Sequence, residues 1–175
     1  MRSDRELIEA VNTGDADAFE QLYHRYRDWV YRLAWRFTVN HEDALDVLQE
    51  TFTYLLAKFP GFELTASMTT FLYPAVRHLA LNVRRRKSAH HAGDEALNDI
   101  PISESSPTSR SELAAALGAL SLEQREVVLM RFVDGLALSE ISIALGIPLN
   151  TVKSRLYNAL RSLRDDPRTR DYFLD

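Results

Sequence analysis

The sequence predicts an all-α protein built as two small helical domains joined by a flexible linker. Three observations carry this. Apolar residues recur at spacings of three and four through most of the chain and nowhere alternate as a strand requires. Turn residues cut that pattern into short runs. One stretch, residues 88–110, "SAHHAGDEALNDIPISESSPTSR", drops the pattern and is rich in Ser, Pro, Asp and Glu. It holds too little apolar area to offset its chain entropy and reads as the linker between residues 1–87 and 111–165, with a tail at 166–175.

In order, Ser3 and Glu6 have capping-box spacing before Leu7, Ile8 and Val11. Gly14 and Asp15 end that helix and start the next, expected over 16–38, with Phe19, Leu22, Tyr23, Tyr26, Val30, Leu33, Ala34 and Phe37 on one face. Asn40 is the expected N-cap of a third helix reaching about Lys58 and burying Leu45, Leu48, Phe52 and Leu55 or Leu56. After the turn residues of "FPGFELTASM" a fourth helix is expected from about Thr69 to Lys87, with a stripe of Leu72, Val76, Leu79, Ala80 and Val83. Pro74 removes one backbone donor, which implies a kink or a start later than Thr69. Beyond the linker, Leu113, Leu117 and Leu120 mark a short helix, and Ser121 with Gln124 caps the one carrying Val127, Val128 and Met130.

The stretch "ALSEISIALGIPLNTVKSRLYNAL" (137–160) holds two apolar-patterned runs around a Gly-Ile-Pro break. Ser139 is expected to cap the first, packed through Ile141, Ala144 and Leu145, with Gly146 ending it and Pro148 preventing its continuation. Asn150 is expected to cap the second, whose inner face is Val152, Leu156, Ala159, Leu160 and Leu163. Thr151, Lys153, Ser154, Arg155, Asn158 and Arg161 remain for the outer face and its flanks. This matches a helix-turn-helix whose second helix enters the major groove, although an αα-hairpin with a solvated cationic face has the same pattern.

Composition narrows the function classes. The chain has 175 residues, 46% hydrophobic and 26% charged, with a net charge of −4. Coating nucleic acid by charge alone normally needs a basic protein. Local charge differs: residues 77–87, "RHLALNVRRRK", carry five cations and no acid, and residues 149–164 carry four and no acid. Two basic islands on an acidic chain point to two separate anion contacts. There are no cysteines, so disulfides and thiol chemistry are excluded. Five scattered His, including the adjacent His90 and His91, offer no metal-ligand spacing, and no cofactor is expected. No Gly-rich phosphate loop or triad spacing appears, so no catalytic residue is assigned and the protein is expected not to be an enzyme. Without an apolar leader or an 18-residue apolar run, it is expected to be cytoplasmic and without membrane insertion.

The order of motifs is more specific than any one of them. "DALDVLQETF" (43–52), the helix ending "RHLALNVRRRK", the linker and "LSLEQREVVLMRFVDGLALSEISIALGIPLNTVKSRL" (120–156) follow one another. Over about residues 15–165 the chain resembles an extracytoplasmic-function (ECF) sigma factor of bacterial RNA polymerase. The resemblance implies that residues 1–87 are sigma region 2 and that 111–165 are region 4. It implies three partners: core RNA polymerase, promoter DNA and an anti-sigma protein. Asp46, Gln49 and Glu50 would meet the clamp coiled coil of the largest polymerase subunit. Phe71, Arg77, His78, Arg84, Arg85, Arg86 and Lys87 would hold the minus-ten element, and the loop 59–67 would help choose the flipped base. Asn150, Thr151, Lys153, Ser154, Arg155 and Asn158 would read the minus-thirty-five element or its phosphates. The chain departs from the family pattern in several places. Phe71 stands for the usual Trp, His78 for a frequent Asn, Leu45 for an acid, and Asn158 for a frequent Arg. Pro74 and Asn150 are unusual at their places too. The rival reading is a stand-alone helix-turn-helix regulator with residues 1–87 as a sensor or dimerisation domain.

Overall fold

The computed structural model describes residues 2–90 and 109–169, and all regular structure among them is helical. Eight helices are described: α1 (Asp4–Asn12), α2 (Ala16–Thr38), α3 (His41–Leu56), α4 (Met68–His90), α5 (Ser109–Gly118), α6 (Leu122–Phe132), α7 (Leu138–Leu145) and α8 (Leu149–Asp165). They divide into two units, one containing α1–α4 and the other α5–α8. Residues 91–108 of the expected linker lie outside the described residues. Helix takes up its two ends, since α4 runs on to His90 and α5 starts at Ser109.

Local chemistry starts the helices of the first unit. The Ser3 N–H donates to Glu6 Oε2 at 2.6 Å and the Glu6 N–H donates to Ser3 Oγ, closing the expected capping box. Those bonds hold the Glu6 carboxyl below its ordinary range. Asp15 accepts the Ala18 N–H at 3.1 Å and an Arg2 N–H at 3.2 Å, which lowers its carboxyl too. Asn40 accepts the Asp43 N–H at 3.0 Å and opens α3. Just before it, Val39 ends α2 in the left-handed region at φ 50°, where a β-branched side chain is strained.

Helix α2 is the hub of this unit, packing against α1, α3 and α4. Leu22, Val30, Leu33, Ala34 and Phe37 are buried along it. Partners come from Leu7 and Ile8 of α1, Val47, Phe52 and Leu55 of α3, and Leu72, Tyr73 and Val76 of α4. Each such Leu, Val or Phe contributes about 1.5–3 kcal/mol by leaving water. One expectation fails on α3. Leu45 is 43% exposed and Val47 is fully buried, because the core-facing register runs Ala44, Val47, Thr51, Leu55. Leu56 is exposed as well, so Leu55 is the buried member of that pair. Helix α4 is already under way at Met68, six residues before Pro74, so the proline does not delay its start. Ser67 Oγ accepts the Thr70 N–H at 3.3 Å, which starts the helix early.

In the second unit α6 packs on α8 and α7, and α7 on α8. Ala116, Leu120, Val128, Ala159 and Leu163 form a buried cluster flanked by Leu117 and Leu156. Leu113, one of the leucines that mark this helix in the sequence, is 42% exposed, and Ala116 takes the buried place on α5. The Ser121–Gln124 box is present as expected. Arg125, buried at 5%, donates to the carbonyls of Leu117 at 2.8 Å and Gly118 at 2.6 Å, closing the end of α5.

Two cap assignments are corrected here. Helix α7 begins at Leu138, with Ala137 at the cap position, and the Ala137 N–H donates to Glu140 Oε2 at 2.8 Å. Ser139 therefore sits inside the first turn. Helix α8 begins at Leu149 behind Pro148, whose φ of −58° suits a helix start, and no side chain caps it. Asn150 is likewise a first-turn residue. Gly146 at φ 64° ends α7 as expected, and Ser142 Oγ donates to the Ile147 carbonyl at 2.6 Å, tying the turn. Past α8, Thr169 is fully buried and its hydroxyl donates to the Leu163 carbonyl. Tyr172, Phe173 and Leu174 of the tail lie outside the described residues.

Candidate nucleic-acid interfaces

On the first unit, α3, α4 and the loop between them build an aromatic surface. Phe62 of the loop is buried, with its ring 4.7 Å from Phe71 and 5.4 Å from Phe59. Phe71 in turn stacks on Tyr54 of α3, centroids 6.1 Å apart and planes 16° from parallel. Lys58 Nζ lies 4.5 Å from the Tyr54 centroid, a cation–π contact. A cavity of about 300 Å³ opens beside this pair, lined by Tyr54, Phe71, Pro74, Ala75, His78 and Leu79. Its walls are mostly apolar with one imidazole, and His78 Nε2 accepts from the Asn82 amide at 2.9 Å. Such a surface suits an unstacked base, which needs a flat π-face and a few polar edges. Tyr54 had no role assigned from the sequence. It lies seventeen positions before Phe71, and only the packing of α3 on α4 joins them.

The basic run continues along α4. Arg77 and Arg84 are half-buried and Arg85 and Arg86 are exposed. Four consecutive residues sweep about 300° around a helix, so the run 84–87 cannot face one phosphate backbone together. Lys87 is the member turned toward α3: its Nζ donates to Asp43 Oδ2 at 2.7 Å. The Asp43 side chain is 11% exposed and sits in the first turn of α3, where the helix dipole also favours a negative charge. A DNA phosphate would have to compete with Asp43 for Lys87.

Asp46, Gln49 and Glu50 are all exposed on α3, on the side away from the buried Val47, Thr51 and Leu55. The structure adds Leu45 to this patch as an exposed apolar neighbour, the mixture typical of a docking surface. The alternative register of Ala44, Val47, Thr51 and Leu55 was present in the sequence and could have pointed to it.

On the second unit, Asn150, Lys153, Ser154 and Asn158 are exposed on α8, while Thr151 and Arg155 are half-buried at its flanks. Ser154 Oγ donates to the Thr151 carbonyl at 3.0 Å. Tyr157 is 68% exposed, four residues from both Lys153 and Arg161 and on the same stripe. Nothing in the apolar pattern singled it out; its helical spacing from two cations could have done so. No side chain caps α8, and its Thr151 N–H donates to the Pro148 carbonyl at 2.9 Å.

A four-helix unit with a basic, aromatic face and a second unit carrying a helix-turn-helix make this a two-unit helical protein with two candidate nucleic-acid surfaces. Comparison with known proteins is more specific. The Sigma-70 region 2 family matches residues 22–90 and the Sigma-70, region 4 family matches residues 110–163. The ECF RNA polymerase sigma factor SigM of Mycobacterium tuberculosis is 32% identical, over 90% of this chain and 81% of its own length. The ECF RNA polymerase sigma factor SigW of Bacillus subtilis is 28% identical, over 91% of this chain and 94% of its own. Among solved structures, the sigma factor RpoE of Bartonella quintana, in complex with the anti-sigma factor NepR, shares the fold. Its TM-score is 0.63 at 20% identity, covering 84% of this chain and 94% of that one. The chain belongs to the ECF sigma factors of the sigma-70 family, and as such it binds core RNA polymerase and directs promoter-specific transcription initiation. The match runs through residues 22–90 as well as the helix-turn-helix, which disfavours a stand-alone regulator with an unrelated first domain. No described helix is long and apolar enough to cross a membrane.

Proposed function

We propose that the chain divides promoter recognition between residues 1–87 and 111–165, with 88–110 as the tether and 166–175 as a tail. Residues 1–87 dock on polymerase and hold the melted minus-ten strand. Asp46, Gln49 and Glu50, with the exposed Leu45, meet the polymerase. Phe71, stacked on Tyr54 and beside His78, receives an unstacked base. Arg77, Arg84, Arg85 and Arg86 follow the backbone, with Lys87 available only when it leaves Asp43. On α8, Lys153, Ser154, Arg155 and Asn158 read base edges or adjacent phosphates of the minus-thirty-five element, and Asn150 and Thr151 hold phosphate at the helix start. The observation that carries this reading is the aromatic cavity at Tyr54 and Phe71 placed along the same helix as the basic run.

An anti-sigma protein is part of the proposal. The Bartonella quintana relative was solved with one, and the exposed Phe132, Val133 and Ile143 of the second unit offer apolar area to such a partner.

Run-off transcription with core polymerase on a promoter library, followed by start-site sequencing, tests the assignment. Phe71→Ala and Lys153→Ala are expected to alter the minus-ten and minus-thirty-five preferences respectively. Tight, specific binding of the free chain to duplex promoter would contradict it, because a chain of net charge −4 is expected to need polymerase for its grip.

A further inference from the structure

One polar contact in the first unit has no part in the surfaces above. Asn12, the last residue of α1, reaches the loop before α4, fifty residues away in sequence. Its Oδ1 accepts the N–H groups of Gly61 at 2.7 Å and Phe62 at 3.0 Å. Its Nδ2 donates to the Phe62 carbonyl at 2.9 Å. Two consecutive N–H groups converge on one oxygen because Gly61 adopts φ 96°, a conformation that suits glycine. The loop residues 59–66 belong to no helix, so a side chain here stands in for the backbone partners that a regular element would give them.

The three bonds fix the backbone of Phe62, and the buried Phe62 ring lies against Phe71. Phe71 is the ring stacked on Tyr54 at the cavity. An unbroken series of contacts thus runs from the end of α1 to the aromatic surface. The chemistry is specific to an amide: one end must accept twice and the other must donate. A carboxylate would set an oxygen against the Phe62 carbonyl.

We infer that Asn12 is a positioning residue for promoter reading: it holds the loop 59–67 and, through Phe62, the Phe71 ring in the arrangement that receives the minus-ten element. The inference rests on the assignment of Phe71 and this loop to that element. A loop freed of its clamp populates the receptive arrangement for only part of the time, and apparent affinity falls by that fraction.

The test uses the full chain with core polymerase and two promoter libraries, one randomised at the minus-ten and one at the minus-thirty-five element. Asn12→Ala is expected to lower transcription from the preferred minus-ten sequences by about tenfold, the loss expected from one or two net hydrogen bonds, and to flatten that preference. Polymerase binding and the minus-thirty-five profile should stay as in the native chain. Asn12→Asp, which keeps the acceptor and loses the donor, should fall between. Thr13→Ala removes the hydroxyl's bond to the Ala10 carbonyl in the same turn but leaves the Asn12 bonds to the loop in place, and it should match the native profile. If Phe71→Ala shifts the minus-ten profile while Asn12→Ala lowers every promoter equally or none, the inference is overturned and Asn12 is structural only. If Phe71→Ala leaves that profile unchanged as well, the minus-ten assignment itself fails and the inference falls with it.

Discussion

On α8 the residues assigned to DNA lie between Asn150 and Asn158 on one outer face of a single helix, whereas on the α1–α4 unit the corresponding surface is assembled from distant elements. Tyr54 comes from α3, Phe62 from the loop, Phe71 and His78 from α4, and the clamp from Asn12 of α1. The difference fits the tasks proposed for the two surfaces. Reading an intact duplex needs a rigid rod with side chains in register, and one helix supplies that. Holding an unstacked base needs a concave site, and concavity arises only where elements meet.

The strongest test of this contrast is a core substitution in each unit. Leu72→Ala on the buried face of α4 and Ile141→Ala on the buried face of α7, within the helix-turn-helix, should each cost about 2–5 kcal/mol in chemical denaturation. At permissive temperature, residual Leu72→Ala protein should lose minus-ten discrimination, while residual Ile141→Ala protein should keep its base preferences on a weakened grip. Equal loss of discrimination in both would break the distinction between an assembled site and a single-helix site.

Next come the cations. Arg85→Ala and Arg86→Ala should weaken promoter binding by the holoenzyme alike on all sequences, each reducing the salt slope by about 1. Lys87→Ala should leave the slope nearly unchanged and instead lower stability, since it leaves the largely buried Asp43 carboxylate without its 2.7 Å partner. A slope change for Lys87 equal to that for Arg85 would show that DNA displaces Asp43.

A finer comparison uses two asparagines at helix starts. Asn40→Ala removes a bond to the Asp43 N–H and should cost about 1 kcal/mol in thermal melts. Asn150→Ala removes no cap and should leave stability within about 0.5 kcal/mol, its effect appearing in promoter binding. At the small end is Glu6, whose carboxyl is lowered by its bonds from Ser3. A lowered carboxyl stabilises the fold above its unfolded pKa and ceases to do so as pH falls through the folded one. The native chain should therefore exceed Glu6→Gln slightly near neutral pH, and the two should converge in acid.

Much of this was legible before any packing was known, and the limits of that legibility are physical. Caps at Ser3, Asp15, Asn40 and Ser121 are contests between neighbours three residues apart, so the residues themselves decide them. Gly146 and Pro148 set the helix-turn-helix bend for the same reason, and the cations of α8 follow from one helix's own periodicity. The misplacements at Ser139 and Asn150 are each shifts of two residues between adequate starts, settled at Ala137 by Glu140 and at Leu149 by proline geometry. Leu45 is different: both of its possible registers are apolar enough, and the packing of α2 and α4 against α3 chose Val47.

What the amino-acid order determined by itself was the helices, their boundaries within a few residues, the bend before α8 and the two basic islands, because local bonds and helical period act over a few residues. What only the tertiary structure decided was the Tyr54–Phe71 pair, the diversion of Lys87 to Asp43 and the grip of Asn12 on the Gly61–Phe62 backbone. Each joins residues seventeen to fifty positions apart. Such contacts exist because burial of the core brings four helices together, and no local pattern encodes which side chains then meet.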